Sequence, residues 1–285
     1  MPFKICSLDC IYCQLGKTLE KTIQRKVYIP AETVLSELKD RLIKGLTADF
    51  ITISGSGEPT LNSQLGEIID NIKKITNIPI AVLTNATLFY LQDVRDDCCR
   101  ADVLLPSLDA ADQQTFQKIN RPHPDISIEN VISGLCKFRN QFHGQIWLEV
   151  FLVDGINTDS QQIDKISDAI KRIRPDKIHL NTPVRPTAEP NVKAPPPEKL
   201  HKIATKLGKN CSAVADFSTS RCADFIENKE QDLLSMLKRR PCSINDICSA
   251  LAVTPNEAVK YIAQLQKKNL VHPTEKTGIV FYSAD

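Results

Sequence analysis

The run CSLDCIYC, residues 6 to 13, sets Cys6, Cys10 and Cys13 in a C-x3-C-x2-C spacing. Three thiolates on so short a loop converge with little loss of chain entropy, and thiolates are the usual ligands of iron–sulfur clusters. No fourth cysteine follows in the run, so a [4Fe–4S] cluster held here would keep one iron free of protein ligand, open to a substrate or cofactor. The plainer readings are a zinc site, a disulfide or a chance grouping. Zinc prefers four closed ligands, and a fourth Cys or His at finger spacing is absent.

Downstream of this loop, from residue 31 to about 217, helical periodicity alternates with short apolar runs, the signature of a parallel α/β sheet. Helices are expected at 31–45, 65–76, 111–120, 127–140, 159–173 and 197–208. Strands are expected at 49–54, 78–85, 102–109, 145–153, 176–183 and 211–217. The strand ends carry Ser54, Asn85, Asp109 and Asn181, and carboxyl ends of parallel strands are where α/β folds place ligands. After the first strand, GSGEPTLN (55–62) forms a Gly-rich turn in which the backbone can approach a ligand closely. Glu149 sits mid-strand, where a buried acid needs a partner. The Pro-rich stretch from Pro183 to Pro197 reads as a stiff loop over the rim, either a connector or a lid.

Past residue 228 the pattern changes to three short helices and a hairpin, resembling a winged helix-turn-helix. Thr254, Pro255 and Glu257 form an N-terminal cap, and Val259, Ile262 and Leu265 are expected to form the buried stripe of the third helix. The organisation expected is an α/β unit over residues 1–217, a linker at 218–227 and the small unit at 228–285.

The chain has 285 residues, 42% of them hydrophobic, and a formal net charge of +2, so nothing global calls for a nucleic-acid partner. No run approaches the ~18 apolar residues of a membrane span, and no signal-like apolar region precedes the cysteine loop. A cytoplasmic protein with reduced thiols is expected, its seven other cysteines mostly acting as small buried apolar residues.

The cysteine spacing with Tyr12 before the third Cys is followed in order by GSGEPTLN, LTNAT (83–87), PSLDA (106–110), KINRPHP (118–124) and LNTPVRP (180–186). Together they resemble the radical S-adenosylmethionine (SAM) superfamily, and within it a subgroup of iron–sulfur oxidoreductases grouped with wyosine-type tRNA-base synthetases. The resemblance implies a partial (β/α)6 barrel. Because only five residues precede Cys6, the usual first strand is expected to be missing. It implies that Cys6, Cys10 and Cys13 bind a [4Fe–4S] cluster whose open iron chelates S-adenosyl-L-methionine, cleaved reductively to a 5′-deoxyadenosyl radical. Tyr12 would lie near the adenine. Gly55, Gly57 and Glu58 would hold the SAM amino group, with Ser56 departing from the usual Gly-Gly-Glu.

Asn85 would face the site, with Ala86 where the family has Gly. Ser107 and Asp109 would reach the ribose or carboxylate, and Asn181 the adenine or substrate. Arg121 and His123 follow on a loop, where a cation could meet a carboxylate. Each has a structural alternative: loop packing for Tyr12, a helix N-cap for Asp109, a surface position for Arg121. No catalytic residue is assigned. The resemblance further implies a reductant such as flavodoxin or ferredoxin and an unknown substrate, with tRNA-base modification one candidate and RNA or protein engaged through the C-terminal unit. The rival reading is an iron–sulfur redox-sensing regulator that binds nucleic acid through that unit, but such a protein has no need of the Gly-rich motif.

Overall fold

The computed structural model describes residues 2–45, 47–213 and 229–284. Two short strands, β1 (Ile5–Cys6) and β2 (Glu20–Lys21), pair in parallel and bracket the cysteine loop. Helix α1 (Ala31–Ile43) leads into β3 (Ile51–Ile53), and the alternation then runs α2 (Leu65–Ile75), β4 (Ile80–Thr84), α3 (Gln92–Cys98) and β5 (Val103–Pro106). It continues through α4 (Gln113–Asn120), α5 (Ile128–Gln141), β6 (Gln145–Phe151), α6 (Ser160–Ile173), β7 (Lys177–Asn181), α7 (Pro197–Leu207) and β8 (Cys211–Ala213). The six strands β3 to β8 lie in chain order, every neighbouring pair parallel. The whole of this sheet follows the cysteine loop in the chain, as expected of a partial barrel.

Parallel strands joined by helices bury both faces, and the residues show it. Ile146, Leu148 and Val150 of β6 are fully buried under the helices, while Trp147, Glu149 and Phe151 face the other way and are half-buried. Beneath the strands, α6 offers Ile163, Ile166, Ala169, Ile170 and Ile173, a stripe at helical spacing. Asp112, Ser127 and Asp159 each cap a helix by accepting a backbone N–H three residues on. The sheet is rolled. The ring of Phe50, just before β3, meets Trp147 of β6 at 5.8 Å although β4 and β5 stand between their strands. Both rings therefore project from the concave face.

Helix α3 is an element that the periodicity does not announce. Its QDVRDDC buries only Val94, Arg95 and Cys98, too short a stripe to stand out among its acids. The C-terminal unit comprises α8 (Lys229–Arg239), β9 (Cys242–Ser243), α9 (Ile244–Leu251), α10 (Pro255–Lys267), β10 (His272–Lys276) and β11 (Ile279–Ser283), with an antiparallel sheet ordered β10-β11-β9. It has a hydrophobic cluster of its own, including Leu233, Leu237, Ile247, Leu251, Ile262 and Leu265. Thr254 and Glu257 form the expected capping box with Pro255 at the first helical position.

The expected stripe on α10 needs one correction: Val259 is 52% exposed and Ala258 is buried in its place. At about 100° per residue, positions 258, 262 and 265 fall within a narrow arc, whereas 259 swings about 120° away from 265. The linker expected at 218–227 lies outside the described residues. None of the described helices is long and apolar enough to cross a membrane.

Candidate active site

The cysteine loop is held from three sides by backbone hydrogen bonds. Lys4 N donates to Ser56 O at 2.6 Å and Glu58 N to Ile5 O at 3.0 Å, which ties β1 to the Gly-rich turn. Asp9 N donates to Asn120 O, Ile11 N to Ile119 O, and His123 N to Ser7 O, all at 2.9 Å, which ties the loop to the end of α4. The Pro-rich strap closes the third side, with Ala188 N on Cys13 O and Glu189 N on Ile11 O. The strap thus lies against the cysteine loop, where a cover over the rim would need to be. Arg121, left-handed at the end of α4, pairs with Glu189 of the strap at 2.7 Å and with Asp9 at 3.8 Å, so its charge is engaged within the protein.

Each of the three sulfurs receives an N–H donor. Lys4 Nζ reaches Cys13 Sγ at 3.1 Å, Asn85 Nδ2 reaches Cys6 Sγ at 3.4 Å and Asn120 Nδ2 reaches Cys10 Sγ at 3.4 Å. Such donors suit thiolates, which accept hydrogen bonds strongly. Burial, with the charge of Glu58 adding to it, pushes the Cys6 thiol up to about 12, and burial followed by the charge of Asp109 raises Cys10 well above its ordinary value. Thiolates here therefore require a positive partner of the kind that bound iron supplies. The three thiols lie close enough to feel one another's charge. Among the described residues no three Cys, His, Asp or Glu groups converge as ligands of one ion would. Lys4 reaches Cys13 from a left-handed backbone (φ 58°) while only 3% exposed, an arrangement that costs about 1–2 kcal/mol per non-glycine residue.

The Gly-rich turn has a different logic from the one its sequence suggests. A Cβ on Gly57 would lie 1.9 Å from the carbonyl oxygen of Ile5, so the absent side chain makes room for the strand carrying Cys6. Glu58 is 2% exposed and its Oε1 accepts from Thr60 N, Thr60 Oγ1 and Thr84 Oγ1, while Oε2 accepts from Asn85 N. Burial raises its carboxyl despite these donors. The acid clamps the turn to the tip of β4. There Asn85 also donates to Ser7 Oγ at 2.9 Å, and Ala86 takes the left-handed conformation (φ 58°), which a Gly would adopt without strain. Gly55 and Ser107 lie at the rim beside these residues, Ser107 bridging Glu149 in the neighbouring strand.

Asp109 is a hub and no N-cap, since Asp112 caps α4. Its Oδ2 accepts from the Tyr12 hydroxyl and from Asn120 Nδ2, and its Oδ1 from Phe151 N. Tyr12 stacks on Phe151 with ring centroids 3.9 Å apart, so one face and the hydroxyl are already used within the protein. Asn181 donates to Glu149 Oε1 at 3.0 Å, inside the rolled sheet. Lys4 and Asn120 escaped the sequence reading. Asn120 lies within KINRPHP, where Arg and His drew attention as charged residues. Lys4 carries no signal beyond its nearness to Cys6.

Residues 1–174 match the Radical SAM superfamily. The chain belongs to that superfamily. Membership makes this radical SAM protein an enzyme. It is 30% identical to a UPF0026 protein of Methanocaldococcus jannaschii over 99% of this chain and 89% of the relative. It is 37% identical, over 94% of its length, to a Brachyspira hyodysenteriae protein named GTPase Obg, of which it spans 39%. Among solved structures, TYW1 with a lysine-pyruvate adduct bound is similar at a TM-score of 0.56 and 22% identity, covering 73% of this chain and 71% of that one. Streptococcus suis SuiB bound to S-adenosylmethionine is similar at a TM-score of 0.56 and 16% identity, covering 75% of this chain and 48% of that one. Both likenesses are of fold.

Two outcomes follow from the geometry. Because the Gly57 Cβ would collide with backbone, Gly57→Ala should destabilise even the metal-free chain by about 1–3 kcal/mol in urea unfolding, whereas a role confined to ligand binding would leave that midpoint unchanged. Burial lifts the Glu149 carboxyl, the Asn181 hydrogen bond opposing and the Asp109 charge adding. The folded state then holds its proton to higher pH than the unfolded chain does. Relative to Glu149→Gln, the wild type should gain stability as pH falls through that raised range and level off below the ordinary value of 4.5. Urea unfolding of both proteins from pH 4 to 8 checks the sign.

Proposed function

We propose that this enzyme binds a [4Fe–4S] cluster through Cys6, Cys10 and Cys13 and cleaves S-adenosyl-L-methionine reductively to abstract hydrogen from a substrate. The observation that carries the reading is the donor set: three sulfurs, each met by an N–H group, on one loop and with no fourth cysteine in its motif. When bound, the cluster would supply one electron to the sulfonium, giving methionine and the 5′-deoxyadenosyl radical that takes hydrogen from the substrate. The chain's own residues do the rest. The Gly55–Glu58 turn, shaped by Glu58, would present its backbone to the SAM amino group. Asn85 would orient Cys6, and Asn120 would orient Cys10 while fixing Asp109. Lys4 would offset negative charge beside Cys13. Ser107, Asp109, Asn181 and Tyr12 would border the space for the nucleoside.

A donor such as flavodoxin or ferredoxin would deliver the electron, in a cytoplasm that keeps thiols reduced; the nine cysteines of the described residues are all free. Modification of a tRNA base rests on the resemblance to the wyosine-type enzymes. Anaerobic reconstitution should yield about four irons per chain, with 5′-deoxyadenosine released on adding SAM and dithionite. Changing Cys6, Cys10 and Cys13 together to Ala should abolish both, and iron retained by that variant would overturn the assignment.

For residues 228–285 we propose a winged helix-turn-helix that docks a protein partner. Val259, Ile279 and Val280 are 52%, 50% and 41% exposed, and Lys268 is paired with Glu230 instead of free for phosphate. Arg185 of the strap bonds Asp246 of α9 at 3.0 Å, and Lys276 Nζ donates to Arg185 O at 2.8 Å, so a partner held on this unit would sit next to the rim. A gel-shift series with total tRNA should show no salt-sensitive complex. A shift that weakens steeply with salt and disappears in Lys260→Glu/Lys267→Glu would reassign the unit to RNA.

A further inference from the structure

The concave interior of the sheet has a floor and a roof. Phe50 and Trp147 meet edge to face across it, with Lys177 Nζ 4.1 Å from the Trp147 ring and the His179 ring tilted beside it at 5.8 Å. Four residues further along β6, Tyr12 of the cysteine loop stacks on Phe151. Between these aromatic layers lies Glu149. On one side β7 brings His179 into register with it, and on the other Ser107 bridges to it.

Glu149 differs from the other two acids of the site. Glu58 and Asp109 have both carboxylate oxygens occupied by the chain's own donors. Among the described residues, Glu149 has a single hydrogen-bond donor, Asn181 on Oε1, and no ion pair with a Lys or Arg. A half-buried acid with an acceptor oxygen to spare and no cation of its own is stabilised by a ligand that brings N–H groups. The aromatic floor, whose Trp147 ring already carries Lys177 Nζ, favours a flat body behind those groups.

We propose that the interior between Trp147 and Tyr12 is the substrate chamber and that Glu149 anchors a ring-bearing substrate through an ammonium or amidinium-type group. This deepens the proposed function and rests on it only in calling the chamber's ligand the substrate. Asn181 is the positioning residue, holding Oε1 so that Oε2 faces the ligand.

Trp147 is the chain's single tryptophan and forms the floor, so its fluorescence reports entry. Benzamidine titrated into the full, metal-free chain should give a saturable change, and benzoate none. In Glu149→Gln the benzamidine affinity should fall at least tenfold. Should that variant fail to melt cooperatively, Glu149→Asp, which keeps the charge and withdraws it by one methylene, should bind benzamidine severalfold more weakly. The absence of a saturable benzamidine signal in the wild type, equal binding of benzoate, or unchanged affinity in the folded variant would each overturn the proposal. The titration needs no cluster, so its failure leaves the iron and SAM assignments standing, and their failure leaves this binding result intact.

Discussion

Everything in the site depends on backbone hydrogen bonds that fix a loop with almost no regular structure of its own. Residues 7–19 make a few bonds of their own, such as Thr18 N to Asp9 Oδ1 and Thr18 Oγ1 to Leu8 O, and are shaped further by the Gly-rich turn, the end of α4 and the Pro-rich strap. Because all three segments leave the rim of one rolled sheet, the geometry of the sheet becomes the geometry of the three thiols. The side chains that reach the sulfurs follow the same plan: Lys4 from the loop's own entry, Asn85 from the tip of β4, Asn120 from the last turn of α4. Each donor is itself fixed by further bonds or by burial, which is how a site is held when its ligands come from a loop.

The three buried acids divide the work in proportion to how fully they are satisfied. Glu58, with four donors, clamps the turn to the sheet and has little capacity left for a ligand. Asp109, with three, fixes Tyr12, Asn120 and the end of β6 relative to one another. Glu149 keeps an oxygen in reserve. Burial raises all three carboxyls, yet only the last is arranged so that an incoming molecule could relieve the cost. The strap adds a link between this site and the C-terminal unit, since it touches Cys13 O at Ala188 and Asp246 at Arg185.

Much of this was legible in the residues. The cysteine spacing, the alternation of strands and helices and the polar strand ends are local patterns, and local patterns survive without coordinates. The reasons behind individual residues were less accessible. Gly57 looks like a glycine that admits a ligand, but the atom that excludes its side chain is Ile5 O, fifty-two positions earlier in the chain. Asp109 stands where an N-cap could, and only the tertiary fold shows that Asp112 takes that role and frees Asp109 for Tyr12. Val259 failed because counting in threes drifts around a helix, while Ala258 is too small to attract notice in an apolar pattern. Asn120 and Lys4 act through contacts 110 and 9 residues distant in sequence, which no periodicity encodes.

The central claim is that three thiolates hold four irons and leave one without a protein ligand. Mössbauer spectroscopy of the chain reconstituted anaerobically with iron-57, before and after adding SAM, tests it most directly. The account predicts a [4Fe–4S] spectrum in which one iron of the four changes its isomer shift when SAM binds. A spectrum in which SAM leaves every iron unchanged, or one of isolated iron ions, would contradict it.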